Sequence, residues 1–267
     1  MAAMTAPFLI ASLLWWASTG AVLWLVRRSP ATYKQTAWAL TALALAAMLG
    51  LVVLRGETSV AAAYGGFAIG LVLWAWHEAM FLLGFVSGSR RAPCPKGLPT
   101  LSRFLASTQA VIHHEIGIAV HAVVIALLSW GADNQFAALT FFLLWVMRLS
   151  AKLVVFFGAP NVSATFLPGH LQYLDSYFNR NRNMTVFAIA FTLAVTITGV
   201  AISTALQMPA YSFSFIGYSL LASLAGLAAI EHLALVLPLP DAALWSWLIK
   251  HPTKTPEETI GAEWRRV

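Results

Sequence analysis

Charged residues are scarce in this chain of 267 residues. They make up 10% of it, against 60% hydrophobic residues, whereas an ordinary soluble domain carries about a quarter charged residues. So little charge cannot coat the surface of a water-soluble globule, and so apolar a chain is neither disordered nor fibrous. The composition therefore predicts an integral membrane protein built as one compact unit.

Cysteine and several familiar motifs are also missing. The single Cys94 allows no disulfide within the chain and no cysteine-based metal cage. No Walker motif occurs, which argues against a P-loop ATPase. The 16 basic and 10 acidic residues give a net charge of +6, but the basic surplus lies in short connections between apolar segments. It therefore indicates membrane topology, and no nucleic-acid partner is expected.

Seven apolar stretches are long enough to cross a bilayer, which takes about 20 helical residues each. Each must be a helix, because a single strand would leave its backbone groups unpaired in lipid. No linker or repeat divides the chain, so residues 1–240 are predicted to form one all-α, seven-helix membrane domain. The predicted spans are Pro7–Val26, Thr36–Leu54, Ser59–Val86, Phe104–Trp130, Ala137–Phe157, Met184–Gln207 and Ser212–Leu237.

Lysine and arginine are distributed unequally between the two sets of connections. Thirteen lie in the loops after the first, third and fifth spans and in the C-terminal tail. Only Arg55 lies in the N-terminal segment or the other three loops. By the positive-inside rule, the N-terminus is predicted outside, in the periplasm, and the C-terminus in the cytoplasm. Residues 241–267 are then a cytoplasmic interfacial helix and a polar tail.

Two segments on the predicted cytoplasmic side have the pattern of short amphipathic helices. Within 168–178, Leu171, Leu174 and Phe178 are spaced as on one face of a helix. The second segment, 241–250, mixes tryptophans with polar residues after a proline-rich stop. Such helices lie in the membrane surface, so membrane lipid is an expected partner.

Four of the predicted helices carry ionisable residues at membrane depth, where charge is costly and often marks function. With a rise of about 1.5 Å per residue, most of them lie roughly 9–15 Å from the cytoplasmic end of their helices, in one layer. His121 is predicted to lie nearer the outer side. The residues are His77 and Glu78 in the third helix, His113, His114, Glu115 and His121 in the fourth, Arg148 and Lys152 in the fifth, and Glu231 and His232 in the seventh.

This layer has a structural interpretation and several functional ones. Glu78, Glu115 and Glu231 can neutralise Arg148 and Lys152 in a network that only fixes helix packing. A proton or substrate pathway is a second interpretation, but nothing beyond the buried charges selects it.

A metal ion or a tetrapyrrole is the remaining interpretation. The usual helical chelates are missing, so a metal ion would need ligands from several helices. The candidate metal ligands are His77, Glu78, His113, His114, Glu115, Glu231 and His232. A bacteriochlorophyll or another tetrapyrrole needs only one axial histidine per metal centre, with haem less favoured. The candidate cofactor-binding residues are His77, His114, His232, Arg148 and Lys152, the last two as partners of a tetrapyrrole carboxylate.

Several motifs, in this order, carry a resemblance to one family. They are Trp76-His77-Glu78, Phe81-Leu82-Leu83-Gly84-Phe85-Val86, Gly88-Ser89-Arg90-Arg91, Trp145-Val146-Met147-Arg148-Leu149-Ser150-Ala151-Lys152-Leu153, Pro160-Asn161, Phe166-Leu167-Pro168-Gly169-His170-Leu171, Glu231-His232 and Leu237-Pro238-Leu239-Pro240. Together they resemble the photosynthetic complex assembly protein 2 family (PuhE-type) of purple phototrophic bacteria. The resemblance runs from about Trp15 to Trp247.

The resemblance implies a multi-pass protein of the bacterial inner membrane, cytoplasmic or intracytoplasmic, that supports assembly of the reaction centre and its core antenna. It also implies a link to bacteriochlorophyll handling or supply. The expected protein partners are reaction-centre and light-harvesting subunits or pigment-biosynthesis enzymes. No catalytic residue is carried over, and a role other than an enzyme is preferred. The alternatives are a membrane metalloenzyme, or an enzyme subunit, in tetrapyrrole biosynthesis, and a structural scaffold with a buried ion-pair network.

Overall fold

The computed structural model describes residues 2–162, 164 and 166–237. Within these ranges the chain forms seven long α-helices and no strand, which confirms the predicted fold class. All seven are long and apolar enough to cross a membrane, as expected of a multi-pass membrane protein. The helices are α1 Ala2–Val26, α2 Tyr33–Leu54, α3 Val60–Leu82, α4 Thr100–Leu128, α5 Phe136–Gly158, α6 Met184–Leu206 and α7 Phe213–Val236. The interfacial helix predicted at 241–250 and the tail to residue 267 lie outside the described residues.

Helix α3 ends at Leu82, four residues before the predicted end of the third span. The backbone turns away at Gly84, which has a φ of +83°, a conformation that favours glycine. The amides of Phe85 and Val86 both donate to the carbonyl of Met80, which satisfies an orphan carbonyl at the helix end. The chain after α3 therefore forms a turn, although its hydropathy alone predicts that the helix continues.

The short helix predicted at 168–178 is present as a 3₁₀ helix, Gly169–Tyr177. With three residues per turn, its buried face consists of Leu171, Leu174 and Tyr177. The prediction that Phe178 lies on this face was wrong, because it assumed the 3.6-residue period of an α-helix. The buried face packs against residues of α3 and α4.

Helices α3, α5 and α7 pack against one another, with α1 beside α3 and α7, and with α6 beside α5 and α7. Helices α2 and α4 flank α3 and α5, respectively. Close approach depends on small residues: a Cβ at Gly70 of α3 would lie 2.6 Å from the Cβ of Thr140 and 2.7 Å from the carbonyl oxygen of Ala137, both on α5. Small residues allow such backbone contact between helices in a membrane.

Connections 27–32, 83–99 and 159–183 lie at one end of the bundle, which we call the basic end. It corresponds to the predicted cytoplasmic side. The guanidinium of Arg103 donates to the carbonyls of Phe156 and Tyr177, at 2.8 and 2.9 Å. Arg90 donates to the Tyr177 hydroxyl at 2.8 Å. Two of the basic residues, Arg90 and Arg103, therefore link the loops of this end through hydrogen bonds.

The topology can be tested on the single cysteine, Cys94, which is half-buried at the basic end. A membrane-impermeant maleimide should label it in inverted vesicles and leave it unlabelled in spheroplasts. In a Cys94→Ser background, Gly56→Cys at the opposite end should show the reverse pattern, since nothing lies within 4 Å of a Cβ there. Labelling of Cys94 from the periplasmic side would invert the predicted orientation.

Gly70→Ala should destabilise the protein by about 1–3 kcal/mol, because the added methyl group meets a backbone oxygen and a Cβ that cannot easily move. The free energy of unfolding of the purified chain in mixed detergent–SDS micelles measures this. Gly199→Ala is the control, since nothing lies within 4 Å of its Cβ. Equal stability of the two variants would show that α3 and α5 do not depend on this close contact.

Candidate functional site

Three histidines of α3 and α4 lie together inside the membrane-spanning part of the bundle: His77, His114 and His121. We call them the histidine cluster. His77 Nε2 lies 2.8 Å from His121 Nδ1, and the ring centroids of His77 and His114 are 6.4 Å apart. The ring of His77 lies near both histidines of α4, with centroids 5.0 Å from His121 and 6.4 Å from His114, and it bonds to His121.

His121 is the site residue that the sequence analysis missed. Its predicted depth is nearer the outer side, away from most of the ionisable layer, and it is not among the candidate ligands. The spacing of seven residues does put His114 and His121 on one face of α4. The sequence could not show that His77 of the neighbouring helix lies near both of them.

The hydrogen bonds of the cluster fix the protons on two of its rings. His121 Nε2 lies 3.2 Å from Met48 Sδ, and a thioether can only accept. His121 Nε2 therefore carries the proton, and its Nδ1 accepts from His77 Nε2–H. Both imidazoles can form this chain of hydrogen bonds in their neutral forms. His114 differs, because its Nε2 is buried and has no hydrogen-bond partner among the described residues.

His114 is held by the turn that follows α3. Its backbone amide donates to the carbonyl of Ser87 at 2.9 Å. Gly88 allows this contact, since a Cβ there would lie 2.1 Å from the carbonyl oxygen of Gln109 on α4. The side chain of His114 is 1% exposed and packs on the ring of Phe81, with centroids 4.7 Å apart. A close loop–helix contact therefore positions an imidazole whose buried Nε2 is unpaired.

The histidine cluster lines a groove of about 450 Å³ between α2, α3 and α4. Met48, Trp76 and aliphatic side chains form most of its remaining wall, and no Asp, Glu, Lys or Arg is among the described residues that line it. Leu45 of α2 and Val120 of α4 lie at the rim and are 66% and 59% exposed. These apolar side chains face lipid in a membrane, so the groove opens sideways into the bilayer.

Ion pairs lie outside this groove. Arg148 of α5 pairs with Glu78 of α3, with Nη2 and Oε2 3.2 Å apart, and Lys152 of α5 pairs with Glu115 of α4. Pairing between the two cations and the carboxylates is therefore confirmed for two of the three predicted carboxylates. Glu231 of α7 is exposed and forms no ion pair with another described residue. The guanidinium side of the first pair is also accessible, since the Arg148 side chain is 45% exposed.

His232 and His113 lie apart from the groove. His232 Nδ1 donates to the carbonyl of Ala228 at 2.7 Å, and its Nε2 lies 2.8 Å from Ser150 Oγ on α5. Both ring nitrogens are thus occupied, Nδ1 within α7 and Nε2 in the contact with α5. His113 is exposed on α4, next to the buried His114. In the part of the chain that the structure describes, no three His, Cys, Asp or Glu side chains are grouped to hold a metal ion.

Comparison with known proteins gives the family. Residues 1–256 match the family described as "Protein of unknown function (DUF3623)". The chain belongs to this family. It is 34% identical, over 264 residues and 96% of each chain, to a Rhodobacter capsulatus protein named "Uncharacterized 30.4 kDa protein in puhA 5'region". No solved structure matches the chain.

The hydrogen bond between α5 and α7 predicts that alanine substitutions of two buried serines differ in their effect on stability. Ser150→Ala leaves His232 Nε2 without its donor, whereas Ser223→Ala removes only a bond to the Ser219 carbonyl of its own helix. Ser150→Ala should therefore cost about 1 kcal/mol more in free energy of unfolding. Unfolding in mixed detergent–SDS micelles measures the difference. Equal losses would mean that the histidine finds another donor.

Proposed function

We propose that this protein is a membrane assembly factor for the bacterial photosynthetic reaction centre and its core antenna. We further propose that it binds bacteriochlorophyll or a related tetrapyrrole while these complexes are built. The motif resemblance to photosynthetic complex assembly proteins supports this role. The name of the Rhodobacter capsulatus relative, which refers to the puhA 5′ region, is consistent with it.

The observation that carries the pigment-binding part is the unpaired His114 Nε2 at a groove that opens to lipid. One histidine is sufficient as an axial ligand of a metal-bearing tetrapyrrole. His114 can provide it through Nε2 without losing a hydrogen bond, whereas both ring nitrogens of His121 are already bonded. The nitrogen is covered in the ligand-free fold, so binding requires the imidazole or a neighbouring side chain to rotate.

The shape of the groove suits a ligand that moves between membrane proteins. Its volume of about 450 Å³ lies in the range of small-molecule sites, and its open side lets a larger amphiphile extend into lipid. An opening at membrane depth also lets a water-insoluble pigment enter and leave without crossing the aqueous phase. We therefore assign the groove to pigment held in transit in the bacterial inner membrane.

The expected partners are subunits of the reaction centre and antenna, or pigment-biosynthesis enzymes. The exposed side chains of Arg148 and Glu231 are the candidate contact surface, because exposed charge at membrane depth is costly against lipid. A transmembrane helix with complementary polar groups would cover them.

A structural scaffold is the second candidate, and the Glu78–Arg148 and Glu115–Lys152 pairs favour it. In a scaffold these pairs fix helix packing and the groove holds only lipid. An enzyme of tetrapyrrole biosynthesis remains the third candidate and would need a bound metal ion or a catalytic partner subunit. Metal analysis of the purified, pigment-free protein separates this candidate from the first two.

His114→Leu should weaken bacteriochlorophyll binding at least about tenfold, the equivalent of one ~1.4 kcal/mol interaction, because the axial ligand is lost. Absorption titration of the purified full-length protein in lipid nanodiscs measures the affinity. His113→Leu is the matched control, since its side chain is exposed beside the groove residue. In cells, the His114 variant should lower the amount of assembled core complex while the variant protein stays in the membrane.

Two results would contradict this function. If folded wild-type protein binds no tetrapyrrole, the pigment-binding role fails and the scaffold is favoured. If both histidine variants bind pigment as the wild type does, the ligand is elsewhere in the bundle.

A further inference from the structure

The chemistry of the groove specifies its ligand more closely than the word tetrapyrrole does. Tetrapyrrole pigments occur as free carboxylic acids and as esters, in which the acid is joined to an alcohol such as a long isoprenoid. The two forms share the ring and the metal and differ by one negative charge and one apolar tail. A protein can therefore distinguish them only through what it offers to the carboxylate or to the tail.

The groove offers no cation to a carboxylate. No Lys or Arg is among the described residues that line it, and its rim residues Leu45 and Val120 face lipid. The side of the groove that these two residues border therefore leads into hydrocarbon. Burying an unpaired carboxylate is strongly unfavourable.

The two cations at membrane depth are already paired and line another part of the bundle. Arg148 is bound to Glu78, and Lys152 is bound to Glu115. Recruiting either cation for a ligand carboxylate would leave a protein carboxylate unpaired in its place. The sequence-based expectation that these two residues receive a tetrapyrrole carboxylate thus has no support in their contacts.

The imidazoles of the groove do not replace a cation either. The His77–His121–Met48 chain is complete with both rings neutral, and one more proton on His121 would place two donors against each other. His114 supplies a neutral nitrogen lone pair, the form that a metal centre requires.

We propose that the groove selects the esterified, uncharged form of the pigment over the free acid, with the ester chain leaving between α2 and α4 into lipid. This inference rests on the proposed function, because it names the form of tetrapyrrole that the same groove binds. It makes the protein a handler of finished, membrane-bound pigment, downstream of the esterification reaction that removes the charge.

The test compares three probes on the full-length protein in nanodiscs: bacteriochlorophyll, its tail-free acid, and the methyl ester of that acid. The methyl ester isolates the effect of charge, since it has neither the long tail nor the carboxylate. At equal probe-to-lipid ratios, both esters should bind at least about tenfold more tightly than the acid. An acid that binds as tightly as its methyl ester would overturn the inference while leaving pigment binding intact. If none of the three binds, the proposed function fails as well.

A gain-of-charge variant gives an independent check. Val120→Lys places a cation at the rim of the groove and should increase the affinity for the free acid relative to the methyl ester. Val123→Lys is the matched control, because Val123 is on the same helix, is also 59% exposed and does not line the groove. If the two lysine variants change the acid-to-ester ratio equally, the selection does not arise in this groove.

Discussion

Every polar side chain that this protein buries at membrane depth must find its partner inside the protein, because lipid offers none. Helix α5 provides most of these partners. Arg148 and Lys152, four residues apart on one side of α5, bind Glu78 of α3 and Glu115 of α4. Ser150, on the opposite side, bonds to His232 of α7. Three residues within one turn of α5 therefore set the positions of three neighbouring helices.

This arrangement gives a physical reason for the motif Trp145–Leu153, which contains all three of these residues. A change in any of them would leave a carboxylate or an imidazole unpaired on another helix, and that penalty exceeds the value of the pair itself. The motif also keeps the charges away from the groove. Glu78 and Glu115 pair with cations of α5 and therefore lie on the faces of α3 and α4 that turn toward α5. The faces of α3 and α4 that turn toward α2 carry histidines and apolar groups.

Helix number and approximate bounds could be predicted from the sequence, because about 20 apolar residues in a row have few other stable conformations. The cations and carboxylates that pair could be named as a set, since unpaired charge is so costly in lipid. Their assignment to particular partners could not be predicted, and neither could the contact of His121 with His77. Both depend on the rotation of each helix about its axis, which nearly uniform apolar composition leaves undetermined. The 3₁₀ geometry of Gly169–Tyr177 was missed because two periods fit so short a segment.

His114 is one of several described residues with a buried polar atom that has no hydrogen-bond partner, and among them it alone lines the groove. If the groove served only for packing, leucine would fill the same place without leaving a buried nitrogen unpaired at a cost of about 1–3 kcal/mol. The fold instead holds His114 through the Ser87 carbonyl and the close contact at Gly88. Two hydrogen bonds orient the neighbouring imidazoles of His77 and His121. A buried imidazole nitrogen without a partner, at a groove whose described lining residues include no Asp, Glu, Lys or Arg, is the arrangement that favours a ligand site over a polar packing network.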